Sequence, residues 1–293
     1  MEATKKTELK GKNKKYKGLS TSCIKTIALV CMFMDHFAAS VVMRLMYLPN
    51  HPIMQQLAKW TTGTDATDMN QMMSGFSHQM WVDNLYQWMR NIGRISFPIY
   101  CFFIVEGFYK TRNRKKYARR LAACALLSEL PFDLAIYGKA FYLWHQNVFF
   151  TLLIGLFAIW AMDALLNMQN MMKWAKVLSA FCAGFGFALM AELLFTDYGS
   201  FGILTMIVMY VVRRFTEQKI KFWAPIVFTA GSAVLCIFSF TEVWAFLGLP
   251  LMFFYQGKKG WNAKWFFYLF YPVHLLVLAI LGLCLGVLTW HLV

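Results

Sequence analysis

The sequence predicts an all-α, polytopic transmembrane helix bundle of about nine spans, with its N-terminus in the cytoplasm and its C-terminus outside. Three observations predict it. Hydrophobic residues make up 59% of the 293-residue chain and mean hydropathy is +0.48, too apolar for a soluble chain with one or two cores. The apolar residues come in runs of about 15 to 25 without period-2 alternation, which selects helices over a transmembrane barrel. Lysine and arginine fall in short stretches between those runs, as topology signals do.

Residues 1–20 read as a basic cytosolic tail carrying Lys5, Lys6, Lys10, Lys12, Lys14, Lys15 and Lys17. The run behind it is too long for a signal peptide, contains Asp35 and His36 and lacks a small-x-small cleavage site, so it is retained as the first span. The nine runs are 22–47, 91–109, 120–137, 148–166, 177–195, 201–212, 223–240, 243–255 and 265–290; the sixth and eighth are short for a crossing. Basic clusters precede the first run and recur at 110–120, at Lys173 and Lys176, at 213–221 and at 258–264, whereas 139–147, 197–200 and 240–242 are nearly devoid of them. Every second connection is therefore cytoplasmic. Residues 21–293 form one transmembrane domain, interrupted outside by an insertion at 49–90. In its second half Met80, Trp81, Leu85, Trp88 and Met89 recur at helical spacing, which predicts an amphipathic helix in the outer interface, placed to serve as a lid.

The net charge of +15 lies in the connections, so it points to the lipid bilayer and not to nucleic acid. The seven cysteines (Cys23, Cys31, Cys101, Cys124, Cys182, Cys236, Cys284) lie singly in apolar runs without CxxC pairing or a histidine at ligand spacing; no disulfide framework or metal site is expected. No phosphate-binding glycine loop, GxSxG, HExxH or kinase motif occurs.

A charge at bilayer depth costs about 2.5 to 3.5 kcal/mol on insertion scales, so each one needs a reason. Asp35 and His36 lie within the first run, Arg94 and Glu106 at the two ends of the second, Glu129 and Asp133 around Pro131 in the third, and His274 in the ninth, with Glu192 and Asp197 at the outer end of the fifth. His36 is the candidate for proton transfer, because an imidazole titrates near neutrality. Asp35 does not orient it, since adjacent helix positions diverge by about 100°; a partner from another helix, Glu129 or His274, is expected, and Arg94 for Asp35. Helix-joining polar networks use the same residues. The connection Lys110, Thr111, Arg112, Asn113, Arg114, Lys115, Lys116 is dense enough in charge to grip the phosphates of a cytosolic cofactor, although positive-inside topology and anionic lipid also account for such clusters.

Taken in order, Lys25 with Met34-Asp35-His36, then Gly93-Arg94-Ile95-Ser96-Phe97-Pro98 leading to Glu106-Gly107-Phe108 and Thr111-Arg112, Ser128-Glu129-Leu130-Pro131-Phe132-Asp133, Gln146-Asn147-Val148-Phe149-Phe150-Thr151, Asp197-Tyr198-Gly199, Gly257-Lys258-Lys259-Gly260 and Phe267 to Pro272 with His274 resemble the TraX family. The resemblance covers nearly the whole chain apart from the tail and the insertion. It implies a multi-pass protein of a bacterial cytoplasmic membrane that moves an acetyl group from cytosolic acetyl-CoA, as co-substrate and without a metal, to an amine or hydroxyl of an outside acceptor: a peptide N-terminus or a surface glycan. His36 and Asp35, with Arg94 and Glu129, would be catalytic; Lys110, Arg112, Arg114, Lys115 and Lys116 would hold the donor; Asn147, His145, Asp133 and His274 would line the acceptor pocket. The insertion departs from the family pattern. Intramembrane charges also mark proton-coupled transporters, though paired halves and broken helices are not visible here; a non-catalytic partner of a secreted peptide is the third possibility. No oligomeric state follows from the pattern.

Overall fold

The structure, a computed structural model, describes residues 18–48, 51–62, 69–216, 220 and 222–289; the lysines of the predicted tail lie outside the described residues. The helical elements follow the predicted runs, the eighth of which is a 3₁₀ segment and a short helix, and two more lie in the insertion. These are α1 (Thr21–Met46), α2 (Pro52–Thr62), α3 (Met69–Gly93), α4 (Ser96–Lys110), α5 (Arg114–Tyr137), α6 (Val148–Leu166), α7 (Lys173–Leu193), α8 (Gly199–Thr216), α9 (Trp223–Phe238), a 3₁₀ segment (Phe240–Gly248) running into α10 (Leu249–Phe253), and α11 (Lys264–Cys284). Among the described residues five stretches are long and apolar enough to cross a membrane: Thr21–Met46, Met80–Lys110, Val148–Leu166, Lys173–Leu193 and Trp265–Cys284. The other four runs form helices that are shorter or carry charge at one end.

Side-chain size decides which helix faces turn inward. On α7 the small residues Ala180, Gly184, Ala188 and Ala191 are buried while Trp174, Phe181, Phe185 and Leu189 are exposed. Small residues let helix backbones approach closely, here against α6 and α8, and the large apolar face is left for lipid. On α11, Tyr271, His274, Leu275 and Ala279 face inward, and Trp265, Leu269, Val273 and Val277 outward.

The insertion differs from the expectation of a separate interfacial helix. Its second half is helical, but α3 continues through Arg94 and Ile95, whose N–H groups still bond back to Arg90, Asn91 and Ile92, so it prolongs the second span. Trp88 of this prolongation packs edge-on against Trp244.

The basic connections gather at one end. There Thr21 N–H donates to the Lys258 carbonyl at 2.8 Å, Lys110 to the Gly257 carbonyl at 2.9 Å, and Arg114 pairs with Asp163 at 2.9 Å. Buried Glu106 joins Arg213, Lys110 and Tyr255. At the opposite end Arg44 donates to the Ala135 and Ile136 carbonyls at 2.9 and 2.8 Å, satisfying acceptors that the end of α5 leaves open.

Candidate active site between two clefts

Helix α1 starts at Ser20, whose hydroxyl accepts from Cys23 N–H at 3.3 Å, and stays α-helical to Phe37 before widening into a π-helical segment, Ala38–Val42. Such segments are rare and often mark functional sites. The Ser40 hydroxyl donates to the His36 carbonyl at 2.6 Å just as the ladder changes. His36 Nδ1 lies 2.8 Å from His274 Nε2, and His274 Nδ1 lies 2.8 Å from the Phe270 carbonyl. A carbonyl only accepts, so His274 carries its proton on Nδ1 and presents a bare Nε2. His36 then donates through Nδ1, and its own Nε2 is left with a lone pair. The expected partner from another helix is thus His274, and Glu129 lies elsewhere. Pro272, inside α11, has no N–H for the Tyr268 carbonyl; the Cys124 thiol donates there at 3.9 Å.

The expected contact of Asp35 with Arg94 is corrected by the structure. Asp35 Oδ2 pairs with Arg90 at 2.7 Å, while Arg94 pairs at 2.9 Å with the buried Glu242. Arg90 and Arg94 are one turn apart on the same face, so the helix offers two cations, and the nearer acid takes Arg90. Gly93 is needed between them, because a Cβ there would run into the Asp35 carboxylate.

Asn147 is fully buried, and its Oδ1 caps α6 by accepting from Phe149 N–H at 3.0 Å. Its amide donates to the Ala125 carbonyl at 2.9 Å and to Glu129. This pair fastens α5 to the start of α6. Asp133 accepts from Tyr142 N–H at 2.9 Å. His145 meets the Tyr137 hydroxyl through Nδ1 and stands 3.6 Å from Asp197 through Nε2; the Asp197 carboxylate raises its pKa above the usual imidazole value, outweighing burial. The segment that presents Asp197 is strained. Phe195 and Tyr198, neither of them glycine, have φ of 52° and 62°, values that side chains other than glycine rarely adopt outside functional sites. The segment is held by Asp197 N–H on the Gln146 carbonyl at 3.0 Å, the Thr151 hydroxyl on the Asp197 carbonyl, and the Tyr198 ring stacked on Phe97.

Three cavities line up along the bundle. A pocket of about 170 Å³ reaches in from the basic end between Lys25, Phe103, Tyr117, Phe149, Lys259 and Phe267, with Tyr100 on its wall. Tyr100 also lines a small cavity of about 40 Å³ with Asp35, His36, Phe97, Asp197 and Tyr198. Asp197 and Tyr198 in turn line an outer cleft of about 380 Å³ with Trp144, His145, Glu192 and Phe238. The Tyr100 hydroxyl is buried and has no hydrogen-bond partner among the described residues.

Of the residues singled out in the sequence, Asp35, His36 and His274 come together, with Arg94 one turn from Arg90. Glu129, Asn147 and Asp133 do not line the His36 cavity. In the basic connection, Lys110 and Arg114 are tied to Glu106 and Asp163, while Arg112, Lys115 and Lys116 are exposed; none of the five lines the inner pocket. Arg90, Tyr100 and Glu242 were missed in the sequence, and Lys25, Asp197 and Tyr198 were noted there without a role in the site. Lys25 was open to the same reasoning as Asp35, being a charge within an apolar run.

The family model described as TraX protein matches residues 20–282. A curated relative, the probable fimbrial assembly protein FimC of serogroup H1 from Dichelobacter nodosus, is 29% identical over 213 residues, covering 66% of this chain and 82% of the relative. No solved structure matches. With a match spanning the first helix to the last and taking in both histidines of the site, the chain belongs to the TraX family.

Proposed function

We propose that the protein is an integral membrane acetyltransferase, taking its acetyl group from acetyl-CoA at the basic end and handing it to an acceptor at the other. The observation that carries this reading is the position of His36: its cavity shares Tyr100 with the pocket from the basic end and Asp197 and Tyr198 with the opposite cleft. In this reading the basic end is cytoplasmic. A thioester from one side and a nucleophile from the other meet at one imidazole.

The acceptor's amine or hydroxyl gives its proton to His36 Nε2 as its N or O bonds to the thioester carbonyl carbon. The C–S bond then breaks, and the proton passes from His36 to the departing thiolate, yielding the acetylated acceptor and free thiol. The imidazolium formed in between is shared with His274 across their 2.8 Å contact. Oxyanion stabilisation falls to the Tyr100 hydroxyl, a buried donor without another partner among the described residues; the Asn147 amide is already engaged by the Ala125 carbonyl and Glu129. Asp35, Arg90, Arg94 and Glu242 position the helices around the site. The relative's name, a fimbrial assembly protein, puts an exported fimbrial subunit first among acceptors, with a surface glycan as the alternative.

The test is incubation of the purified protein in detergent with acetyl-CoA, reading free thiol. Thiol release that His36→Gln abolishes is expected. Release equal in the His36→Gln variant, or absent from the wild type with an amine present, would remove the reading.

A further inference from the structure

Lys25 and His36 stand on one face of α1. They are eleven positions apart in unbroken α-helix; eleven steps of roughly 100° come back to within about 20° of the starting direction and rise about 16 Å. The space they bracket is the inner pocket, with Lys25 on its wall and Tyr100 where it borders the His36 cavity. Among the described residues the Lys25 ammonium has neither a carboxylate nor a hydrogen-bond partner; it lies over the rings of Phe103 and Phe267, at 5.2 and 5.8 Å from their centres. An ammonium inside a span without a counter-ion is costly. Lys259, beside it at the pocket mouth, reaches Asn262 at 3.3 Å.

We propose that this pocket is the site of a phosphopantetheine arm: Lys25 anchors its phosphate, Lys259 adds charge at the mouth, and α1 is the ruler that sets the thioester at His36. The inference rests on the acyl-transfer reading. The ligand's own length supports it. From phosphorus to sulfur the arm has about thirteen bonds, and at the extended-chain advance of about 3.5 Å per three bonds it spans roughly 15 Å, the same as the rise from Lys25 to His36. A thin, mostly apolar chain with two amides suits a pocket walled by Phe103, Phe149, Phe267 and Tyr117. The site displaces the donor grip from the 110–116 connection, where Lys110 and Arg114 are engaged by carboxylates. Coenzyme A and an acyl carrier protein present the same arm.

The test measures binding of 4′-phosphopantetheine and of unphosphorylated pantetheine to the purified protein in detergent. The wild type should bind the phosphorylated arm about tenfold or more tightly, as charge-assisted contacts do. Lys25→Met, which removes charge while keeping an apolar side chain suited to the span, should abolish that preference; Lys25→Arg should keep it, and Lys259→Gln should reduce it. A Lys25→Met protein that retains the full preference, or a wild type that shows none, overturns the site. If the wild type transfers acetyl groups while Lys25→Met still discriminates, the anchor falls and the acetyltransferase reading stands. Offering the acetyl group on coenzyme A and on a carrier protein identifies the source, and transfer from either one supports the site.

Discussion

His36 and His274 form a directional pair: Nδ1 of the first donates across 2.8 Å to Nε2 of the second, because the Phe270 carbonyl holds the other His274 nitrogen in its protonated form. The pair locks the tautomer that leaves His36 Nε2 as a base. His274→Ala should therefore slow single-turnover acetyl transfer by roughly tenfold or more, whereas His36→Gln, which removes the base itself, should cost on the order of 10² to 10⁴. A His274→Ala protein as fast as the wild type would show that the second imidazole only packs.

The Arg94 and Glu242 pair links the start of α4 to the 3₁₀ segment. Glu242 is buried, so Glu242→Ala strands a guanidinium. The loss should lie toward the low end of about 3–5 kcal/mol, because Arg94 keeps some exposure. Thermal unfolding in detergent checks it, and removing both partners (Arg94→Met with Glu242→Met) should recover part of the loss. A double variant no more stable than Glu242→Ala would place the Arg94 contribution elsewhere.

His145 supplies a pH dependence. Its pKa is raised by Asp197, so the protonated form is favoured in the folded state. The stabilisation is complete below the unfolded value of about 6.5 and fades as pH climbs through the raised folded value. The melting temperatures of wild type and His145→Gln should thus differ most in mild acid and converge as pH rises above neutrality. A gap that widens with rising pH would reverse the assignment.

Orientation has a direct test in a cysteine-free background, since seven native thiols must go first. A single cysteine at Lys116, on the basic end, should be shielded from an impermeant thiol reagent in intact cells, and one at Phe141 should react. The opposite labelling pattern would reverse donor and acceptor sides.

The all-helical class and the five long apolar spans among the described residues were legible as apolar runs, because lipid forces a span to be both apolar and internally hydrogen-bonded. The inner faces were less so: Ala180, Gly184 and Ala188 read as unremarkable residues in a hydrophobic stretch until their neighbours are known. Charges within runs drew attention to Asp35, His36 and His274, and the two histidines do meet. The pairing of those charges could not be read, since Arg90 and Arg94 share a face and the choice between Asp35 and Glu242 depends on where the 3₁₀ segment lies. Density of charge drew attention to 110–116, where Lys110 and Arg114 pair with Glu106 and Asp163, and not to Lys25, a single cation that faces no acid among the described residues. Tyr100 carried no signal at all, being one aromatic among many; only its unpaired hydroxyl at the junction of two cavities sets it apart.

That hydroxyl carries the last prediction. Tyr100 borders both the inner pocket and the His36 cavity, and its oxygen is buried without a partner among the described residues. An unmatched donor in a water-poor site is stabilising only when something accepts from it, and the carbonyl oxygen of a thioester becomes a far stronger acceptor as the tetrahedral intermediate forms. Tyr100→Phe removes one oxygen and keeps the ring that packs against the hydrophobic core. It should leave donor affinity nearly unchanged and lower the rate of acetyl transfer about 10² to 10³-fold, the effect of losing one oxyanion donor. The folded protein should be no less stable, because an unsatisfied polar group leaves the interior. Measured together, transfer rate, donor affinity and melting temperature separate the roles: an unchanged rate with a raised melting temperature would mean that Tyr100 is only a wall, and a lost donor affinity would mean that its hydroxyl holds the arm before the reaction begins.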